Sequence, residues 1–299
     1  MIQHVFANRQ NIGDWLSAAG IQSLLAPLPV RQHLCDAPYR AETLAELARL
    51  QPPDVVVIGG GGLFMDYFVP FWEGLLRMKP RVPYYIWGVG FCDSTQQPTR
   101  GPTGLLEAVV RGARRCLVRD ELTRRYLAGC NLPPPVACPS LKLLTPVPRT
   151  TRRLLHVVNL HSVGPAAFTA MAACAQEFVA ETSRSYDETN NQVLRDDCDE
   201  LMRRLDQYRQ ADVVLSSGLH GCVLAVGLGR PVVAVSADRK VDAFMKLAGL
   251  ADWVCPAGAL ARLPALLRAV NRQADTTAFV QATQMQHRAF AAQVSAEVK

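Results

Sequence analysis

The amino-acid sequence lacks the features of several protein classes. It has no apolar run near the roughly 20 residues that span a bilayer, and its first eight residues predict a strand rather than a signal peptide. Its nine cysteines are odd in number and scattered, without a Cys-x-x-Cys pair. This disfavours a disulfide framework or a structural zinc site, and each cysteine is expected to be a small buried hydrophobe in a reducing compartment. We therefore predict a cytoplasmic protein.

The composition is that of a globular protein long enough for two domains. Of 299 residues, 49% are hydrophobic and 19% are charged, so each half of the chain can bury its own core. The net charge is +6, with arginines dense in residues 111–125. A basic surface suits phosphorylated ligands or an anionic membrane face, and a solvated helix face explains it equally well. No nucleic-acid partner is predicted, because no motif with interleaved aromatics accompanies the charge.

The stretch 211–240 carries the clearest pattern. Residues 213–215 form a short β-branched run typical of a buried parallel strand, and a loop and an apolar helix follow. Because the loops after parallel strands share one edge of the sheet, His220 and Lys240 are expected in one cleft. The helix after Gly221 begins with free N–H groups that would hold a phosphate or carboxylate. A cap or an ordinary loop histidine is the alternative explanation of His220.

Three other segments place glycine or charge at strand ends. Residues 8–16 predict a strand-to-helix turn, in which Asp14 either caps the helix or contacts a ligand. Residues 59–62 are four glycines after a buried strand; they free N–H groups for a ligand but match neither the Walker A nor the dinucleotide fingerprint. Arg119 and Asp120 precede a helix, either as an ion pair or as groups facing a cleft.

Together these segments resemble the polysaccharide pyruvyl transferase family. The resemblance rests mainly on residues 217–221 (Ser-Gly-Leu-His-Gly), residues 229–235 (Gly-Arg-Pro-Val-Val-Ala-Val) and Lys240. The chain departs from the family at Gly218, where members carry arginine, and at Cys138, where they often carry aspartate. The resemblance implies an α/β fold of the GT-B type, in which two doubly wound Rossmann-like domains face a cleft.

The resemblance also implies a reaction, the transfer of a pyruvyl group from phosphoenolpyruvate to two hydroxyls of a saccharide. The product is a cyclic ketal and phosphate is released. His220 is the implied acid/base group. The implied donor-binding residues are Ser217, Leu219, Gly221, Lys240 and His161. The implied acceptor-binding residues are Asp14, Gly60, Gly61, Asp66 and Arg119. This chemistry requires no metal ion or cofactor, because phosphoenolpyruvate is itself the donor substrate.

The expected partner is a saccharide or a lipid-linked saccharide, which leaves peripheral membrane contact and a homo-oligomer open. Two other functions agree with the residues. Glycine at position 218 would suit a nucleotide-sugar glycosyltransferase whose backbone amides hold the donor diphosphate. Gly218 and Cys138 would also suit an inactive relative that binds a sugar or a partner protein.

A proline-rich, basic stretch near residue 150 is the predicted linker. It divides the chain into residues 1–150, on the acceptor side, and residues 151–299, on the donor side. The second unit is predicted to open with a strand at 154–161 that ends at His161. Residues 183–191 are polar and predict a loop.

Overall fold

The chain forms two parallel five-stranded sheets, each flanked by helices. The computed structural model describes residues 1–94, 99–193 and 197–298, with the backbone alone at 160 and 161. Neighbouring strands in both sheets pair in parallel. The predicted α/β class with two Rossmann-like sheets is confirmed.

The first sheet and its helices come from the first half of the chain. They are β1 (Ile2–Phe6), α1 (Ile12–Leu25), β2 (Val30–Leu34), α2 (Arg40–Leu47), β3 (Val55–Gly61), α3 (Val69–Met78), β4 (Tyr84–Val89), α4 (Thr103–Gly112), β5 (Arg115–Val118) and α5 (Glu121–Tyr126). The strands lie in the order β2-β1-β3-β4-β5. β3 and β4 are buried along their whole length, as expected for central strands covered on both faces.

The second sheet follows the same plan. Its elements are β6 (Arg153–Val157), α6 (Leu160–Thr182), β7 (Ser185–Thr189), α7 (Cys198–Gln210), β8 (Val213–Ser216), α8 (Leu219–Gly227), β9 (Val232–Ser236), α9 (Arg239–Leu247), β10 (Val254–Pro256), α10 (Leu263–Ala269) and α11 (Thr277–Ala296). The order is β10-β9-β8-β6-β7. The strand order therefore reverses between β1 and β3 and again between β6 and β8, and ligands bind at such switch points.

The last helix, α11, returns to the first sheet. Its Phe290 and Val294 share a core with Tyr85 and Trp87 of β4. The indole Nε1 of Trp87 donates a hydrogen bond to Nδ1 of His287 at 2.9 Å. The chain thus passes between the two halves twice, and the division at residue 150 stays a prediction. No helix among the described residues is long and apolar enough to cross a membrane.

Two predicted elements are wrong. Residues 183–191 contain β7, an edge strand whose sequence Ser-Tyr-Asp-Glu-Thr is polar because one edge and part of its faces meet solvent. The strand β6 ends at Val157, and α6 begins at Leu160. His161 therefore lies in the first turn of a helix rather than at the end of a strand, and its side chain lies outside the described residues.

Candidate functional site

A cleft of about 350 Å³ lies between the two halves of the chain, where β1, β3, β6 and β8 end. Five of the residues singled out in the sequence line it: Asp14, Arg119, Leu219, His220 and Lys240. The cleft thus brings together groups from four separate segments. Among the residues that the structure describes, no three His, Cys, Asp or Glu side chains are grouped as metal ligands.

His220 lies in the first turn of α8 and spans the two halves. Its ring packs so closely on α1 that a Cβ on Gly13 would be 1.9 Å from the ring Cγ, so only glycine leaves room for it. Its Nε2 has no hydrogen-bond partner among the described residues. Burial, together with the charges of Arg119 and Lys240, lowers the pKa of His220 to about 3. The imidazole is therefore neutral at pH 7 and can accept a proton.

Lys240 lies in the first turn of α9 and reaches across to the first half. Its Nζ is 2.9 Å from Oδ2 of Asp238 and 2.7 Å from Sγ of Cys92, in the loop after β4. Asp238 also accepts a hydrogen bond from the Asp93 amide at 3.0 Å. Burial alone would lower the pKa of Lys240, but the Cys92 sulfur and the Asp238 carboxylate outweigh it and the pKa is raised. The ammonium is therefore a fixed positive charge in the cleft.

Arg119 follows β5 and is only 4% exposed. Its Nε and Nη1 have no hydrogen-bond partner among the described residues. The nearest carboxylate, that of Asp120, has its Oδ2 3.6 Å from Nε, while its Oδ1 caps α5 by accepting from the Thr123 amide at 2.7 Å. Buried N–H groups without acceptors are costly, so this guanidinium is suited to receive an anion from the cleft.

Asp14 is a free carboxyl rather than a helix cap. The cap of α1 is Asn11, whose Oδ1 accepts from the Gly13 amide at 2.9 Å, which makes the predicted cap wrong. Burial raises the pKa of Asp14 to about 6, and the charges of Arg119 and Lys240 oppose part of that rise. At pH 7 this carboxylate is mostly ionised and close to the pKa range of a general base.

Ser217 and Gly221 lie behind the wall of the cleft. The Ser217 hydroxyl accepts from the Asn159 amide at 2.7 Å and so ties β8 to the end of β6. A Cβ on Gly221 would be 2.1 Å from Oγ of Ser216, so glycine lets α8 pack closely on β8. Both residues support the site from behind rather than lining it.

Residues 59–61 of the glycine run are part of β3, and Gly62 follows the strand and lines the cleft. A Cβ on Gly61, whose φ is 102°, would lie 2.4 Å from the Asp14 carboxylate, and Gly60 packs on the backbone of α1. These glycines bring Asp14 close to β3 and do not line the cleft. Asp66 is exposed and points elsewhere, with its Oδ1 accepting from the Tyr67 amide at 2.7 Å.

One wall of the cleft was missed in the sequence. It is a carboxamide wall formed by Asn8, Asn11, Asn159, Asn190, Asn191 and Gln192. Several of its amide oxygens are occupied: Asn8 accepts from the Gln10 amide at 3.0 Å and Asn190 from the Gln192 amide at 3.0 Å. The Asn-Asn-Gln run at the end of β7 was a signal for this wall, but the segment had been assigned to a loop.

The arginines of residues 111–125 are largely paired on the protein's own surface. Arg111 lies 2.9 Å from Glu107, and Arg114 lies 3.2 Å from Glu297. Arg124 and Arg125 both contact Glu121. These exposed pairs agree with the explanation of this segment as a solvated helix face.

Comparison with known proteins gives a family and a fold. A family model described as polysaccharide pyruvyl transferase matches residues 11–239. The structure is similar to a UDP-GlcNAc 2-epimerase from Methanocaldococcus jannaschii, with a TM-score of 0.61 at 9% identity over 97% of this chain and 99% of that one. It is also similar to HepE from Anabaena, solved with UDP-glucose, with a TM-score of 0.51 at 12% identity over 99% and 97% of the two chains. A sequence comparison with curated proteins finds no match.

Proposed function

Because this chain belongs to the polysaccharide pyruvyl transferase family, we propose that it transfers the pyruvyl group of phosphoenolpyruvate to two hydroxyls of a saccharide. One hydroxyl oxygen adds to C2 of the donor while C3 gains a proton and becomes a methyl group. The second hydroxyl then displaces phosphate from C2, and its proton leaves with the phosphate. The net charge would favour an acceptor carried by an anionic membrane surface.

The observation that carries the proposal is the buried guanidinium of Arg119, whose Nε and Nη1 have no hydrogen-bond partner among the described residues. Lys240 places a second cation in the same cleft, and α8 begins there without a side-chain cap. Phosphoenolpyruvate carries a phosphate and a carboxylate, so it supplies two anionic groups for two cations and a helix start. The donor would thus be held by both halves of the chain.

Proton transfer is assigned to Asp14 and His220, which meet from opposite walls. Asp14, with a pKa of about 6, is the base for the attacking hydroxyl. His220 is neutral in the empty cleft, and the negative charges of a bound donor would raise its pKa and allow it to carry a proton to C3. Gly13, the neighbour of Asp14, touches the imidazole, and both groups line the same cleft.

The acceptor is assigned to the carboxamide wall and the surface beside it. Where the amide oxygens are bonded to the chain, the NH₂ groups remain to donate to sugar oxygens. Tyr67 is 47% exposed, lines the cleft and is hydrogen-bonded to the Asp36 carboxylate. An exposed aromatic ring suits the apolar face of a neutral sugar. The hydrogen-bond donors and the carboxylate beside it suit the sugar hydroxyls.

Calorimetric titration with phosphoenolpyruvate tests the donor site. Arg119→Gln should weaken binding by roughly 10- to 100-fold, because it removes charge-assisted hydrogen bonds to the donor. Arg125→Gln is the matched control, since Arg125 is exposed and paired with Glu121 at 3.1 Å; its affinity should equal that of the wild type. Equal losses in both variants would contradict the assignment.

The same titration distinguishes pyruvyl transfer from the two alternative functions, glycosyl transfer and sugar binding without catalysis. UDP-glucose is the probe for a glycosyltransferase, a function that the complex of Anabaena HepE with this ligand brings into consideration. If the protein binds UDP-glucose and does not bind phosphoenolpyruvate, glycosyl transfer replaces pyruvyl transfer as the proposed function. Binding of neither donor would favour an inactive relative that recognises a sugar.

Gly218 provides a gain-of-function prediction. A Cβ at this position would lie 3.6 Å from that of Asn159, an ordinary contact, and its φ of −124° suits any residue. Gly218→Arg should therefore fold and bind phosphoenolpyruvate up to about tenfold more tightly. Gly218→Gln, which has no charge, is the control and should change little. An arginine that leaves the affinity unchanged would indicate a site adapted to another donor.

A further inference from the structure

Cys92 differs from the buried thiols of the chain in its surroundings. It is half-buried, lines the cleft and contacts the ammonium of Lys240 at 2.7 Å. Five other cysteines, Cys35, Cys116, Cys138, Cys222 and Cys255, are buried. The expectation that every cysteine is a buried hydrophobe is therefore wrong for Cys92.

A second cation, Arg119, lies near the same sulfur. The position of a Cβ on Gly62 would be 3.5 Å from Sγ of Cys92 and 3.7 Å from Nη2 of Arg119. Arg119 is 4% exposed, and its Nε and Nη1 lack partners among the described residues. The thiol thus lies against the charge of Lys240 and near that of Arg119, at the cleft. Such charges stabilise the negative sulfur that attacks an electrophile.

We propose that Cys92 is a modification site, at which a peroxide oxidises the thiol and thereby closes the anion site formed by Lys240 and Arg119. The sulfur attacks one oxygen of hydrogen peroxide, the S–O bond forms as the O–O bond breaks, and water leaves. The sulfur is oxidised to a sulfenic acid and the peroxide is reduced. The Sγ–Nζ contact of 2.7 Å has no space for another oxygen atom, so a sulfenic oxygen on the side that faces Lys240 would displace the ammonium from its position.

Labelling kinetics test the site directly. The reduced protein is treated with hydrogen peroxide or iodoacetamide, and peptide mass spectrometry follows the occupancy of Cys92 and Cys198. Cys198 is exposed, so it is the internal control for access. Cys92 should react at least about tenfold faster than Cys198 despite its lower exposure. Inorganic phosphate should slow Cys92 alone, and Lys240→Gln should abolish the difference.

Binding of inorganic phosphate measures the functional consequence of oxidising Cys92. Peroxide should weaken binding of inorganic phosphate to the wild type at least about tenfold and leave Cys92→Ser at its untreated affinity. The proposal is overturned if Cys92 reacts no faster than Cys198, if Lys240→Gln leaves the ratio unchanged, or if oxidised protein binds phosphate as before. The ratio of the Cys92 and Cys198 labelling rates is measured without a donor. If the reduced protein binds no phosphate, that result counts against the proposed function, and the labelling ratio still decides whether Cys92 is reactive.

Discussion

Replacing His220 with glutamine is expected to lower kcat/KM for pyruvyl transfer by roughly 10²- to 10⁴-fold, the contribution of a positioned acid–base group. Glutamine fills similar space beside Gly13 but has no nitrogen that titrates near neutral pH. Because His220 is neutral in the empty cleft, donor affinity should change only a few-fold. Phosphate release, followed by ³¹P NMR with a panel of neutral methyl glycosides as acceptors, measures the rate.

A second histidine, His33, provides the control for this experiment. His33 lies on the outer strand β2, where its Nε2 is 2.7 Å from Gln3, and His33→Gln should keep the wild-type rate. Thermal unfolding of both variants checks that they are folded. If the His220 variant retains full activity with a normal melting curve, the role of His220 in proton transfer is refuted.

Acidification from pH 7 to pH 5 should cost the protein several kcal/mol of unfolding free energy. His4, His156 and His287 are completely buried, and burial lowers the pKa of each to about 4. In the unfolded chain these histidines have an ordinary pKa near 6.5. As the pH falls below that value, the unfolded chain therefore binds protons that the folded chain does not bind. Stability is therefore full above about pH 6.5 and is lost as the pH falls toward 4.

The hydrogen bonds explain why these rings stay neutral. His287 accepts from Trp87 through Nδ1 and donates through Nε2 to the Ala137 carbonyl at 2.8 Å. A proton added to Nδ1 would face the indole N–H directly. In His4 the carbonyl of Gly59 and the amide of Gln22 have the same two roles at 3.2 and 3.0 Å. The rings of His4 and His287 thus each hold one proton in a position that a second would disrupt, while burial alone opposes the charge on His156.

The size of the effect makes it measurable. Each of the three rings costs roughly 2 kcal/mol at pH 5, and His220, with a pKa of about 3, costs about as much, so the total is about 8 kcal/mol. The raised pKa of Asp14 returns about 1 kcal/mol. A domain is stable by about 5–15 kcal/mol, so the urea midpoint should fall steeply between pH 7 and pH 5. His287→Gln should flatten the slope by about a quarter. A midpoint that is constant over this range would be inconsistent with the buried neutral rings.

The chain order of strands and glycines predicted most of the fold and part of the site. Each predicted group that lines the cleft lies just after a strand or in the first turn of a helix. The carboxyl ends of parallel strands share an edge, which is why His220, Lys240, Arg119 and Asp14 meet although up to 226 positions separate them (Asp14 to Lys240). Patterning of apolar residues and turn glycines was enough for this part.

What could not be predicted depends on contacts between the two halves. The sequence around Gly13 does not reveal that a histidine ring will occupy the space of its missing Cβ. The edge strand β7 lacks the apolar run of a central strand, so the carboxamides that follow it were assigned to a loop. Cys92 has no local signal either, because its reactivity depends on a lysine 148 positions away.

The return of α11 to the first sheet limits how the two halves can move. A pair of bodies joined by one flexible segment can twist and bend in any direction. Here two segments join them, one before β6 and one between α10 and α11, and the line through both defines a single axis of rotation. Movement about that axis would open the cleft to admit a substrate and release phosphate. Each closure about that axis would return His220 to the space beside Gly13.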